Sequence, residues 1–142
     1  MTLIDFHKSY GTEEQCRQYM YGQRWPDGFI CPKCGHGEYF NIKSRHLYQC
    51  KACNHQASIT AGTIMDKTRT PLVKWFLAIY LFSSNKRGIR ALSLKSKLGI
   101  SYNTAWTMCQ KIRYAMGKRD ENHKLGGIVE MDEVFWCPLG RR

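Results

Sequence analysis

Four of the seven cysteines fall in two pairs, Cys31-x2-Cys34 and Cys50-x2-Cys53, with fifteen residues between the pairs. This is the ligand spacing of a structural zinc site, in which each pair sets two thiolates on one tight turn and the two turns meet as a tetrahedron. Gly35 and Asn54, directly after the pairs, suit the left-handed backbone that such turns require. Sulfur softness selects Zn²⁺, and four thiolates leave no coordination position for a catalytic water. The competing readings, disulfides or free core thiols, fit less well: the cysteine total is odd, and the opening MTLIDFHKSY has no charged stretch leading into an apolar one. His36, His46 and His55 share the segment, but a fifth ligand is not needed, so they read as surface or packing residues. Cys16, Cys109 and Cys137 stand alone, and Cys109 lies on an apolar stripe that makes it a core residue.

A second group of reactive side chains lies near the end of the chain. Gly126-Gly127 opens onto the apolar run Ile128–Trp136, which carries Glu130, Asp132 and Glu133. On strand alternation Glu130 and Asp132 share one face, while Glu133 shares the other with Met131 and Phe135. Carboxylates so placed either hold Mg²⁺ in a two-metal phosphoryl-transfer site or are solvated acids of an edge strand, and the strand alone leaves both open.

The third feature is charge. The 142 residues carry a formal net charge of +11, and residues 71–125 alone carry +9. Lysines and arginines so concentrated can neutralise phosphates and release counterions, which favours nucleic acid as a partner; a solvated basic face is the plainer alternative. The longest apolar run, Trp75–Phe82, has eight residues, against roughly 18 for a membrane span. No membrane association and a cytoplasmic location are therefore expected, with the protein at the nucleoid when bound to DNA.

These groups need elements to hold them. Thr12 is an N-cap candidate, Glu13 and Glu14 favour the helix dipole, and Gly22 is the expected end of that helix. Arg24-Trp25-Pro26-Asp27-Gly28 is a turn that delivers the chain to Cys31. Tyr39–Ile42 and His46–Gln49 read as short strands. Thr70 caps, and Pro71 opens, a helix whose Leu72–Phe82 stretch is apolar almost all round and so belongs at the centre of its module. Ile89, Leu92 and Leu98 mark an amphipathic helix stopped by Gly99, and Ser101 caps the next. In that last helix Ala105, Cys109, Ile112 and Met116 form the apolar stripe, leaving Asn103, Thr107, Gln110 and Tyr114 opposite. Gly117 is its expected end, and a polar linker runs from Lys118 to Gly127.

Helix, glycine turn and capped helix with a small polar face is the arrangement of a helix-turn-helix, although ordinary helical domains share it. On the DNA reading Asn103, Thr107 and Gln110 meet base edges, and Lys86, Arg87, Arg90, Lys95, Lys97, Lys111 and Arg113 hold phosphates.

Taken in order, Arg24-Trp25-Pro26-Asp27-Gly28, Cys31-Pro32-Lys33-Cys34-Gly35, Cys50-Lys51-Ala52-Cys53, Thr60-Ala61-Gly62-Thr63-Ile64, Thr68-Arg69-Thr70-Pro71-Leu72, Leu98-Gly99-Ile100-Ser101 and Val129-Glu130-Met131-Asp132-Glu133 resemble bacterial insertion-sequence transposases of the ISXO-like group. The resemblance implies a zinc ribbon and a helix-turn-helix ahead of a ribonuclease-H-like DDE nuclease, with Asp132 as its first catalytic acid. It implies structural Zn²⁺, Mg²⁺ only in a complete nuclease domain, and double-stranded DNA at the transposon's terminal inverted repeats as partner. Self-association would belong to the full-length protein.

The expected fold is therefore a small multi-module α+β chain. An N-terminal helical segment spans 1–28, a zinc ribbon 29–65, a helical DNA-binding module 70–118, and the first strand of a truncated nuclease domain 126–142. With one catalytic acid in hand, this portion is expected to be inert by itself. A stand-alone zinc-ribbon and helix-turn-helix transcription regulator, without catalytic activity, is the alternative from a different class.

Overall fold

The computed structural model describes residues 2–85 and 88–120. The strand Ile128–Trp136 with Asp132, Cys137, most of the linker, and both Lys86 and Arg87 lie outside the described residues. The elements run α1 (Leu3–Tyr10), α2 (Glu13–Arg24), β1 (Tyr39–Ile42), β2 (Leu47–Cys50), β3 (Gln56–Ser58), α3 (Leu72–Ser84), α4 (Ala91–Leu98) and α5 (Tyr102–Asp120).

The sequence pattern does not announce α1, yet its start is chemically explicit. Thr2 Oγ1 accepts from the Asp5 N–H at 3.2 Å, and Asp5 Oδ2 accepts from the Thr2 N–H at 3.0 Å, a capping box. The helix stops at Gly11, where any Cβ would collide with the His7 carbonyl oxygen. Thr12 caps α2 as expected, through the reciprocal pair with Gln15. The helix does not end at Gly22, however, and continues to Arg24. The glycine costs about 1 kcal/mol within a helix, but the extra residues bring Arg24 Nη1 to the carbonyls of Ile59 and Ala61, at 3.3 and 2.6 Å. They also bring Trp25 onto Phe29 and Tyr48.

The ribbon is an antiparallel sheet ordered β1-β2-β3. Tyr39 pairs with Cys50, Asn41 with Tyr48, and Tyr48 in turn with Ala57, so these residues share the face that looks toward α2. There Tyr21, Trp25, Phe29, Tyr39 and Tyr48 form one aromatic cluster with ring centroids 4.8 to 6.5 Å apart. The second strand begins at Leu47, one residue later than expected, because His46 takes a φ of 52° in the turn. β3 is three residues long and polar at both ends, so it has no periodicity of its own and exists through pairing with β2.

Helix α3 departs from expectation at its start. Pro71 occupies the N-cap position, and neither it nor Thr70 supplies a side-chain cap. The cap comes from a different element: the Glu13 carboxylate of α2 accepts from the N–H groups of Leu72 and Val73, at 3.2 and 3.3 Å. The same carboxylate holds Arg17 at 3.0 Å. Leu72, Trp75, Ala78 and Phe82 are buried, and α3 contacts α2, α4 and α5, which makes it the central helix as its composition requires.

Gly99 ends α4 in the left-handed conformation, φ 58°, and Ser101 Oγ caps α5 by accepting from the Thr104 N–H. Lys74 of α3 donates to the Gly99 carbonyl and steadies that turn. Two apolar assignments are corrected. Leu92 is 65% exposed, and its place in the core is taken by Leu94; Met116 is 50% exposed, and Met108 joins Ala105, Cys109 and Ile112 inside. Helix α5 also passes through Gly117 to Asp120. One continuous cluster of buried side chains runs from Cys16 and Trp25 through the ribbon to Leu94 and Ile112, so ribbon and helices share a core.

Glu13→Ala should destabilise the protein by about 1–2 kcal/mol, because two N–H donors of α3 lose their acceptor and the dipole loses its counter-charge. Urea unfolding checks this, and Glu13→Gln, which keeps one acceptor oxygen, should lose roughly half as much.

Candidate functional site

The four expected zinc ligands come together. The Sγ atoms of Cys31, Cys34, Cys50 and Cys53 all lie within 4.8 Å of one another. Cys31 Sγ is 3.6 Å from Cys53 Sγ, and Cys34 Sγ is 3.5 Å from Cys50 Sγ. A disulfide would need about 2.05 Å, whereas a tetrahedron with Zn–S bonds of about 2.3 Å places its sulfurs about 3.8 Å apart. The donor set fits zinc and not cystine.

Two turns of the same construction present these sulfurs. In the first, the Gly35 N–H donates to the Cys31 carbonyl at 2.9 Å and the Cys31 N–H to the His36 carbonyl at 3.0 Å. In the second, Asn54 donates to Cys50 at 3.1 Å and Cys50 to His55 at 2.9 Å. Both turns close with a left-handed residue, Gly35 at φ 74° and Asn54 at φ 55°. His36 and His55 thus contribute backbone carbonyls to the turns, and neither histidine belongs to the ligand cluster.

The cluster drives the acidities of Cys31 and Cys34 apart. Burial disfavours the Cys31 thiolate, but the N–H groups of Lys33 and Cys34 aim at its sulfur and bring the thiol down to about 6. Cys34 moves the other way: the His36 N–H favours its thiolate, yet the sulfurs of Cys53, Cys50 and Cys31 push it up to about 12. Four anionic sulfurs at this spacing need a cation between them. By contrast, burial pushes the Cys16 thiol up to about 11 and raises that of Cys109, as befits core cysteines.

The helical side shows a different surface. Asn103, Thr107 and Gln110 are exposed on one face of α5, together with Tyr114 at 71% exposure. The Thr107 hydroxyl donates back to the Asn103 carbonyl at 2.9 Å. Arg90 is exposed at the start of α4. Lys111 and Arg113 are tied inward: Lys111 Nζ donates to the Asp66 carbonyl and sits over Trp75, and Arg113 donates to the Ile89 carbonyl and sits over Phe82. Lys67 and Arg69, absent from the expected phosphate-holding set, lie beside this face of α5. Their signal was the cationic alternation in Lys67-Thr68-Arg69, ahead of the basic module.

Residues 11–56, which hold α2 and both cysteine turns, match the transposase zinc-ribbon domain family. That segment is similar to transposase zinc ribbons. The whole chain is 28% identical over 131 residues to an uncharacterized protein in the transposable element ISH50 of Halobacterium salinarum, a match that covers 90% of this chain. The chain spans 43% of that relative's length. No solved structure matches it. Among the described residues, no helix is long and apolar enough to cross a membrane.

Structural zinc of this type stabilises by about 10–16 kcal/mol apparent, more than eleven strand residues could supply. The protein should carry one equivalent of zinc, and Cys50→Ser or a strong chelator should unfold residues 29–60 and abolish the near-UV signal of the tyrosine cluster. Dispersed ribbon amides in a metal-free NMR spectrum would contradict this. Binding needs deprotonated sulfur, so zinc retention should weaken as pH falls.

Proposed function

We propose that this chain is the DNA-binding N-terminal portion of a DDE-type transposase, acting in transposition of an insertion sequence. The observation that carries the reading is the match of residues 11–56 to the transposase zinc-ribbon domain, together with the four-sulfur cluster within those residues. The concentration of +9 over residues 71–125 supports duplex DNA as partner.

In this reading the zinc is structural, because four thiolates close its coordination shell and leave no site for a reacting water. Its task is to hold the ribbon against α2 and so against the helices. Helices α4 and α5 act as a helix-turn-helix, with Gly99 and Ser101 setting the turn and α5 entering the major groove. Asn103, Thr107 and Gln110 then face base edges, and Arg90, Lys86 and Arg87 face phosphates. The target is the transposon's terminal inverted repeats. Asp132, with Mg²⁺, is the first acid of the strand-cleaving site. A carboxylate on one strand cannot alone clamp two metal ions about 3.5–4 Å apart, so cutting and joining depend on a complete nuclease domain.

Fluorescence anisotropy on terminal-repeat duplexes tests the binding. Log affinity should fall with log salt at about −0.9 per phosphate contact, and Arg90→Ala should make the slope shallower by about that amount. Asn103→Ala and Gln110→Ala should narrow the preference for terminal repeats over unrelated duplex, each by about 1–3 kcal/mol per contacted base pair. Affinity independent of salt, or no binding to terminal repeats, would overturn the reading.

A further inference from the structure

The connection between ribbon and helices is built more firmly than a linker needs to be. Thr68 Oγ1 accepts from the Trp75 indole N–H at 3.0 Å and from the Thr70 N–H at 3.2 Å. Lys111 of α5 donates to the Asp66 carbonyl at 3.4 Å. The segment is thus pinned to α3 through Thr68 and to α5 through Asp66. Lys67, between the two anchors, holds a φ of 55°, a left-handed conformation that lysine adopts only at a cost.

Pinning Thr68 inward leaves its neighbours outward. Lys67 and Arg69 are exposed, and neither forms an ion pair with a described residue. They edge a cleft of about 340 Å³ whose other wall is α5, with Thr70, Asn103, Thr107 and Lys111 among its lining. Two cations without the carbonyl brace of Lys111, Lys67 and Arg69, and several hydroxyls line this cleft, and no carboxylate does. Such a combination attracts a phosphate oxygen by charge and satisfies it by hydrogen bonds.

We propose that the loop Lys67–Arg69 is a second DNA-contacting element, gripping backbone phosphates of the same duplex that α5 reads. The inference rests on the DNA-binding role of α5 and adds a contact from outside the helical pair. Its physical use is registration: phosphate contacts fix how a recognition helix lies in the groove, and a loop hydrogen-bonded to both α3 and α5 transmits that register without slack. Asn103 and Thr107 line the same cleft, so phosphate at the loop sets the distance from which they meet the bases.

The test uses the zinc-loaded 142-residue chain with a terminal-repeat duplex. Lys67→Ala/Arg69→Ala should keep its zinc and its urea midpoint, because neither side chain is buried. Its slope of log affinity against log salt should be shallower than the parent's by about 1.8, from about 0.9 per lost contact. Acetylation of Lys67 should slow in the presence of duplex, measured by mass spectrometry against Lys43 in the ribbon turn. An unchanged slope, or Lys67 acetylated equally with and without DNA, overturns the loop contact while leaving α5 as the reader. Failure of the parent chain to bind duplex overturns both.

Discussion

Four sulfurs within 4.8 Å of one another are the constraint on which this protein depends. Thiols at that separation cannot all ionise unless a cation neutralises them, and their spacing is that of sulfurs around a metal and not of a disulfide. The metal is therefore a condition of the geometry. It ties Cys31 to Cys53 and Cys34 to Cys50, and so joins the two turns that open and close the β1–β2 hairpin. Strands of four, four and three residues would not hold a register unaided. With the turns clamped, Tyr39 and Tyr48 are presented together on one face.

What that face meets is α2, and α2 is the element through which the clamp reaches the rest of the molecule. One end inserts Trp25 among the ribbon aromatics and sends Arg24 to the carbonyls after β3. The other end lends the Glu13 carboxylate to the first N–H groups of α3. A helix start that lacks its own cap is thereby completed by a residue 59 positions earlier. The metal centre and the helical bundle are in this way parts of one mechanical unit, and the placement of α5 relative to the ribbon follows from it.

The basic residues divide by what they already hold. Lys74, Lys111 and Arg113 donate to backbone carbonyls and brace the helices against loops. Arg90, Lys67 and Arg69 are exposed and have no ion pair among the described residues. Net charge counts these groups equally, but a cation that braces the fold is less free to leave it for a phosphate. The +9 of residues 71–125 therefore overstates the charge left over for a phosphate.

The sequence by itself determined which four cysteines cluster, the Thr12 and Ser101 caps, the Gly99 stop and the central position of α3. Each of these is local chemistry, a ligand spacing, a hydroxyl before a helix, a glycine after one, or an unbroken apolar run. It did not determine α1, β3, the source of the α3 cap, or which of Leu92 and Leu94 and of Met116 and Met108 would be inside. An eight-residue helix and a three-residue strand carry too little pattern to stand out, and they persist because Phe6 packs on Tyr80 and Ala57 pairs with Tyr48. Nor could it tell bracing lysines from free ones, since that depends on which carbonyl lies within reach. Tertiary structure decided those matters because a side chain takes the partner that folding brings to it, whatever the separation along the chain.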